Sequence, residues 1–446
     1  MLFFAGTTVW PGANTLVPTV GAALMIASGI APTPGSPQRL LSIAPMVWIG
    51  GLSYSLYLWH WPMIVGAEAY FGDMRLRYSV AVVLLSLIPA WLCHKYIENP
   101  IRFAAPFKPT SRALGFGAAL TAMGVGFGFV LSTPIGLGAV TQEASPSESM
   151  GARALDSKAN VGVVWSAIKS VDRMRPLPTD ATNDRPAYYD DQPECQVPDG
   201  VAKPELCKFG DPNGQKTIVV VGDSKMGQWQ SVLSTIAKRQ HWKMVQITKS
   251  ACTFADVNFQ RENKLWTDCR QWGKSSLQEI LKMKPDLVIA SHGSRHALPA
   301  GKVNKSDRTP AALVQGLASY WRAMTEAGIP VVALLDYPTP NTVPVYECVA
   351  KHKKDLSRCA FGRSVGDSSS GAPQQRAAAR EVPGVEIVDM ADTLCPDGAR
   401  CSAVIGNVLV YRQGSHITRT FADSAESRLS AELFRASSAG FGRKSG

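Results

Sequence analysis

Apolar and polar positions divide this chain into two unlike parts. A bilayer-spanning helix needs about 20 mostly apolar residues. Four stretches in the first third approach that length with few charges: residues 16–30, 43–70, 78–97 and 113–131. The second is long and rich in Trp and Tyr, so it predicts either a tilted span or one partly at an interface. Residues 136–192 hold few apolar clusters and many Ser, Pro and charged residues, which predicts mostly linker with a short helix near 161–168.

Beyond residue 192 the pattern changes to alternating strand-like and helix-like runs. Short β-branched or apolar runs at 217–221, 243–248, 287–291, 331–335 and 386–389 predict strands. Amphipathic stretches at 228–239, 273–283, 310–327 and 372–380 predict helices, and residues 420–435 predict a closing helix. Such alternation predicts a parallel sheet covered on both faces. The predicted domains are therefore 1–135 membrane helices, 136–192 linker and 193–440 a soluble α/β domain.

Positive charges orient the first part. The loop after the third stretch carries Arg102, Lys108 and Arg112 against Glu98, and the loop after the first carries Arg39, so both read as cytoplasmic. Arg75 and Arg77 near Asp73 run against that assignment. On this reading everything after residue 132 lies outside the membrane. Cysteine usage points the same way. Of nine cysteines, Cys93 stands alone, and the other eight fall beyond the apolar stretches as couples: Cys195/Cys207, Cys252/Cys269, Cys348/Cys359 and Cys395/Cys401. An even set of short-range couples predicts disulfides in an oxidising compartment, with pairing of neighbours the simplest connectivity. Free or metal-binding thiols are the competing reading, but there is no C-x-x-C and no histidine at zinc-finger spacing, and no metal site is expected. The formal charge of +11 suits an anionic partner or a membrane surface. No basic run with interleaved aromatics points to nucleic acid.

The chemistry centres on TIVVVGDSKMGQWQ, residues 217–230. Here a β-branched run ends in Gly222-Asp223-Ser224 and polar residues can open a helix. A serine at such a corner is exposed beside backbone N–H groups, where acyl-transferring enzymes place a nucleophile. Asp223 reads as support for the turn. Ser224 needs a base. Of seven histidines, His416 is the best placed, following a strand-like run and preceding the final helix. In a parallel sheet the C-terminal strand ends share one edge, so a late loop can bring His416 to Ser224. The alternative for His416 is an ordinary surface-loop residue.

Three stretches carry a resemblance. IGGLSYSLYLWHWPMI at 49–64, with HKYIENPIR at 94–102, is similar to late transmembrane helices of the acyltransferase-3 family. VVVGDSKMGQW, followed by KSACTF and the Cys269/Trp272 pair, resembles the nucleophile block of SGNH (GDSL-type) hydrolases. CPDGARC followed by YRQGSHIT resembles their terminal histidine block. The whole chain thus resembles fused acyltransferase-3/SGNH membrane proteins. The resemblance implies O-acyl transfer, usually of acetyl from acetyl-CoA, to a cell-envelope glycan through an acyl-serine at Ser224, in a multi-pass protein of the bacterial inner membrane with its SGNH domain outside. A carbohydrate acetyl-esterase and a catalytically idle glycan-binding fragment are the alternatives. A full acyltransferase-3 domain has further helices and an essential histidine near its start, so the chain is expected to be N-terminally truncated. His60 and Trp61 could line an acyl-donor path or serve as interfacial anchors.

The match also departs from the family pattern. The usual D-x-x-H places an aspartate where this chain has Gln413, a residue that can accept the same hydrogen bond without charge. Asp423 is a nearby carboxylate that could substitute. The backbone N–H of Ser224 is one expected oxyanion donor. ASHGSRH at 290–296 stands where the family has an asparagine donor, leaving Ser291, His292, Ser294 and Arg295 as open alternatives.

Overall fold

The computed structural model describes residues 16–28, 41–71, 76–132, 142–261, 264–299, 302–340 and 344–441. Arg39, Asp73 and Arg75, used above for orientation, lie outside these residues. The chain divides into two compact units, Met1–Gly138 and Ala139–Gly446.

The first unit is helical: α1 (Leu16–Ala27), α2 (Ala44–Phe71), α3 (Arg77–Arg102) and α4 (Thr110–Ser132). Among the described residues α3 is the one helix long and apolar enough to cross a membrane. The expectation of four such spans is therefore met by one helix. α1 has only 12 described residues, and α2 interrupts its apolar run with Ser53, Ser55, His60 and Glu68. Large apolar side chains nonetheless face outward on the longer helices, among them Trp61 on α2, Leu84 and Ile88 on α3, and Phe127 on α4. Within the HKYIENPIR stretch, Glu98 accepts from Ser55 at 2.7 Å and meets His94 at 3.0 Å, tying α3 to α2.

The second unit is built on one sheet. Its strands are β1 (Gln196–Val197), β2 (Cys207–Gly210), β3 (Lys216–Gly222), β4 (Trp242–Lys249), β5 (Leu287–Ser291), β6 (Val331–Leu334) and β7 (Val385–Val388). They lie in the order β7-β6-β5-β3-β4-β1, all parallel, with β2 antiparallel on β4. β3 is buried on both faces, which explains its continuous apolar run. Ile218 and Val220 pack with Trp229, Leu233, Phe421 and Leu429 on one face. Val219 and Val221 pack with Trp272, Leu317 and Trp321 on the other. The covering helices include α5 (Ser224–Gly227), α6 (Gln230–Arg239), α7 (Thr267–Met283), α8 (Pro310–Glu326), α9 (Ala372–Glu381), α10 (Arg419–Ser424) and α11 (Glu426–Phe441).

The stretch read as linker is part of this unit over residues 142–192. Its main chain bonds to the hairpin at 404–409: Gly151 N–H to Gly406 O at 3.0 Å, and Arg175 to Asn407 and Leu409. Asp397 accepts the N–H groups of Trp165 and Ser166. Small residues such as Ala152 and Ala181 are fully buried. The segment is held by backbone bonds and small side chains, so it carries no hydrophobic periodicity, and a single turn at Trp165–Ala167 stands where a short helix was expected.

All four cysteine couples are disulfides between neighbours: Cys195–Cys207, Cys252–Cys269, Cys348–Cys359 and Cys395–Cys401. Cys93 is free. The last couple lies in CPDGARC, the stretch likened above to part of the histidine block. The structure bears out the expected bridge and gives Cys401 a place in the core. It is fully buried in the hydrophobic core, on a two-residue strand (Arg400–Cys401) that pairs antiparallel with Phe361–Gly362. Its sulfur is tied to Cys395, so Cys401 offers no thiol for chemistry. The bridge closes the turn that carries Asp397, and that turn anchors Trp165 and Ser166.

Candidate active site

β3 ends at Gly222, whose φ of +153° disfavours any other residue. A Cβ there would stand 1.9 Å from the carbonyl oxygen of Ser291, its register partner at the end of β5. This close approach swings the chain off the sheet. Asp223 then caps the short helix α5: one carboxylate oxygen accepts from Lys225 N–H at 2.8 Å, the other from Gly293 N–H at 3.0 Å. Asp223 thus joins the turn after β3 to the turn after β5. Burial pushes its carboxyl up to about 6, against the two N–H donors that favour the charged form.

Ser224 opens α5, where its own N–H has no intrahelical partner. Its hydroxyl lies 2.8 Å from His416 Nε2. The two sequence-predicted residues are therefore in hydrogen-bond contact across the domain. The second imidazole nitrogen, Nδ1, is 3.3 Å from the backbone carbonyl of Gln413. Nδ1–H donating to that carbonyl leaves Nε2 as the acceptor of the serine proton. The orienting group is thus the main chain of Gln413, and the exposed Gln413 side chain is not the one that meets His416. Asp423, the alternative carboxylate, pairs instead with Arg419 at 3.3 Å on α10. Burial, then the charges of Lys225 and Arg412, push His416 down to about 3, so its ring is neutral at neutral pH.

Residues not singled out from the sequence hold the histidine loop. Lys225 Nζ donates to Ser415 O at 2.7 Å and pairs with Asp336 at 3.1 Å, both charged groups almost fully buried. Tyr337 OH lies 2.7 Å from both Ser415 O and Gln228 Oε1, and Gln228 Oε1 also accepts from Ile417 N–H at 3.0 Å. The loop closes on itself through Arg412 N–H to His416 O at 2.9 Å. Two signals for these residues were present: a lysine directly after the serine, and Asp336-Tyr337 ending an apolar run.

The oxyanion candidates separate. Ser291 and His292 are buried, the Ser291 hydroxyl with no described partner; burial pushes His292 down to about 3, against a backbone hydrogen bond at Ser294. Ser294 Oγ takes a hydrogen bond from Thr253 at 2.7 Å. Arg295 is exposed and lines a cleft beside Gly293. His60, in the other unit, has its ring against Leu56 O at 3.1 Å. No cluster of metal-ligating side chains occurs among the described residues.

A parallel sheet with a serine on the turn after a central strand, met by a histidine from the last loop, defines an SGNH-type α/β domain. Residues 194–430, more than half of the chain, match the family described as "SGNH domain (fused to AT3 domains)", and the chain belongs to that family. It is also similar to O-acetyltransferase OatA of Staphylococcus aureus (strain NCTC 8325 / PS 47), 39% identical over 66 residues, or 14% of this chain and 11% of that protein. A Bacillus subtilis (strain 168) protein provisionally named peptidoglycan O-acetyltransferase YrhL is 37% identical over 86 residues, or 19% and 13% of the two chains. The matches thus span little more than a tenth of these relatives. Among solved structures, the periplasmic domain of a lipopolysaccharide acetyltransferase from Salmonella ser. Paratyphi A aligns over 50% of this chain and 85% of that one, at 16% identity and a TM-score of 0.37. A GDSL-like lipase from Bacteroides thetaiotaomicron aligns at 13% identity and a TM-score of 0.29, over 50% and 89% of the chains. Neither structural likeness is strong enough to carry a functional argument.

Proposed function

We propose that this chain transfers an O-acyl group, acetyl, to a sugar hydroxyl of a cell-envelope glycan. Ser224 is the nucleophile and His416 the general base. The observation that carries this reading is the 2.8 Å contact between Ser224 Oγ and a histidine held neutral by its surroundings. As Ser224 Oγ attacks the acyl carbonyl, Nε2 takes the hydroxyl proton, and the donor's leaving group departs with that proton. The acyl-serine then passes its acyl group to a sugar hydroxyl, whose proton goes to His416 and returns to Ser224. The N–H of Ser224 faces the developing oxyanion. The names of the O-acetyltransferase relatives support acetyl as the group and an envelope polymer as the acceptor.

On this reading residues 1–135 are the end of an acyltransferase-3 membrane domain, with four spans that bring acetyl from acetyl-CoA across the bacterial inner membrane. Residues 193–440 are the extracytoplasmic SGNH domain. The outward apolar side chains of α2, α3 and α4 and the four disulfides of the second unit support this placement.

The test uses the full chain with its disulfides formed, given an acetyl-ester probe with and without an oligosaccharide acceptor. Ser224→Ala is expected to abolish turnover, and His416→Ala to lower it by about 10²–10⁴. Acetyl found on the oligosaccharide identifies a transferase; release only as acetate identifies an esterase. Wild type no faster than Ser224→Ala would overturn both enzymatic readings.

A further inference from the structure

The turn after β5 that Asp223 holds through Gly293 also forms one wall of a cleft of about 610 Å³. Because Ser291 pairs in register with Gly222, this cleft and Ser224 share the C-terminal edge of the sheet, where open α/β sheets bind their ligands. Among the described residues its lining is chemically one-sided. It carries Arg261, Arg295, Lys305, Arg308 and His296, and no described carboxylate. Arg261 is offset by Asp199 at 3.3 Å and lies over the Trp266 ring. Arg295, Lys305 and Arg308 have no ion pair with any described carboxylate, whereas most arginines elsewhere in this unit do. Three like charges around one concavity repel one another unless an anion enters. Guanidinium groups offer paired N–H donors matched to carboxylate and phosphate. Trp266 and Phe259, both largely buried, complete the lining.

We infer that this cleft is the acceptor subsite and that it takes an anionic sugar, bearing a carboxylate or a phosphate, through Arg295, Lys305 and Arg308. The acceptor role of the cleft rests on the acyl-transfer reading; its binding of an anion does not. Binding is therefore measured on the full chain carrying Ser224→Ala, which cannot acylate. The probes are an oligogalacturonate, its neutral methyl ester, and mannose 6-phosphate, read by calorimetry at low salt. The carboxylate or the phosphate probe is expected to bind at least about tenfold more tightly than the neutral ester; which of the two does so identifies the anion. Adding Arg295→Gln or Arg308→Gln should weaken that binding by about tenfold. Lys282→Gln, which removes an exposed charge on α7, should leave it unchanged. Equal affinity for charged and neutral probes, or equal loss in all three substitutions, would overturn the inference. If Ser224→Ala binds the anionic probe while wild type transfers nothing, the acyl-transfer reading fails and the anion site stands.

Discussion

Lys225, the residue after Ser224, buries its ammonium 3.1 Å from the carboxylate of Asp336, just beyond the end of β6. The same ammonium reaches Ser415 O, one residue before His416. One buried ion pair therefore links the Ser224 turn to the His416 loop. Removing one partner of a buried pair leaves an uncompensated charge, which typically costs about 3–5 kcal/mol. Lys225→Met should lower the unfolding free energy by that amount. Lys225→Met with Asp336→Asn should lose less than the sum of the single losses in a double-mutant cycle. In protein still folded at low temperature, Lys225→Met should lower kcat on the ester probe with KM little changed. That pattern marks a positioning residue, and an unchanged kcat would refute it.

Gly222 is required by geometry. Gly222→Ala would place a methyl carbon 1.9 Å from the Ser291 carbonyl oxygen, a main-chain atom that the sheet holds in place. A loss of about 4 kcal/mol or more is expected. Gly328→Ala makes the control: Gly328 also has positive φ, but open space surrounds it, so strain alone should cost about 1–2 kcal/mol. Thermal midpoints of the two variants check the contrast.

The neutral state of His416 predicts an unusual pH profile. Its pKa is pushed down to about 3, against 6.5 for a free imidazole. Protonation inactivates a base, so an acid limb of kcat/KM set by His416 should lie well below pH 6.5, whereas a limb near pH 6 would report Asp223, whose carboxyl is pushed up to about 6. Because the Gln413 main chain meets Nδ1, Gln413→Ala should change kcat less than about threefold, far below the loss in His416→Ala. Gln413→Asp brings a carboxylate near the ring, favours the imidazolium and should move the acid limb upward in pH.

The Cys252–Cys269 disulfide spans 17 residues and joins the end of β4 to α7. A loop of that length corresponds to about 3 kcal/mol of stability. The double change Cys252→Ala/Cys269→Ala should cost roughly that much in urea unfolding. Ala251 and Trp266 flank this bridge and line the basic cleft, so anionic-probe binding should weaken with it. Removing Cys348–Cys359 should cost comparable stability and leave binding intact.

Much of the domain was legible because its signals are local. The runs at 217–221, 287–291 and 331–335 are buried on both faces, and continuous β-branched segments admit few other readings. The residues 142–192 were misread because main-chain bonds and alanines hold them, which leaves no pattern to detect. Cys401 shows the same limit: its pairing with Cys395 was legible from short separation, but its place in the core was not. The four-span expectation rested on length and apolarity, and α2 shows how polar residues within a long helix weaken that signal.

The sequence by itself determined the alternation of strands and helices, the glycine–aspartate–serine corner, the neighbouring cysteine couples and the histidine able to serve Ser224. These follow from backbone preference, burial on one strand and short chain separation. Only the tertiary structure decided what orients that histidine, which lysine and carboxylate lock its loop, and that cations without a described ion pair gather in a cleft walled by the turn after β5. Those relationships join residues far apart in the chain, and packing of the sheet edge, which no local pattern records, brings them within hydrogen-bond reach.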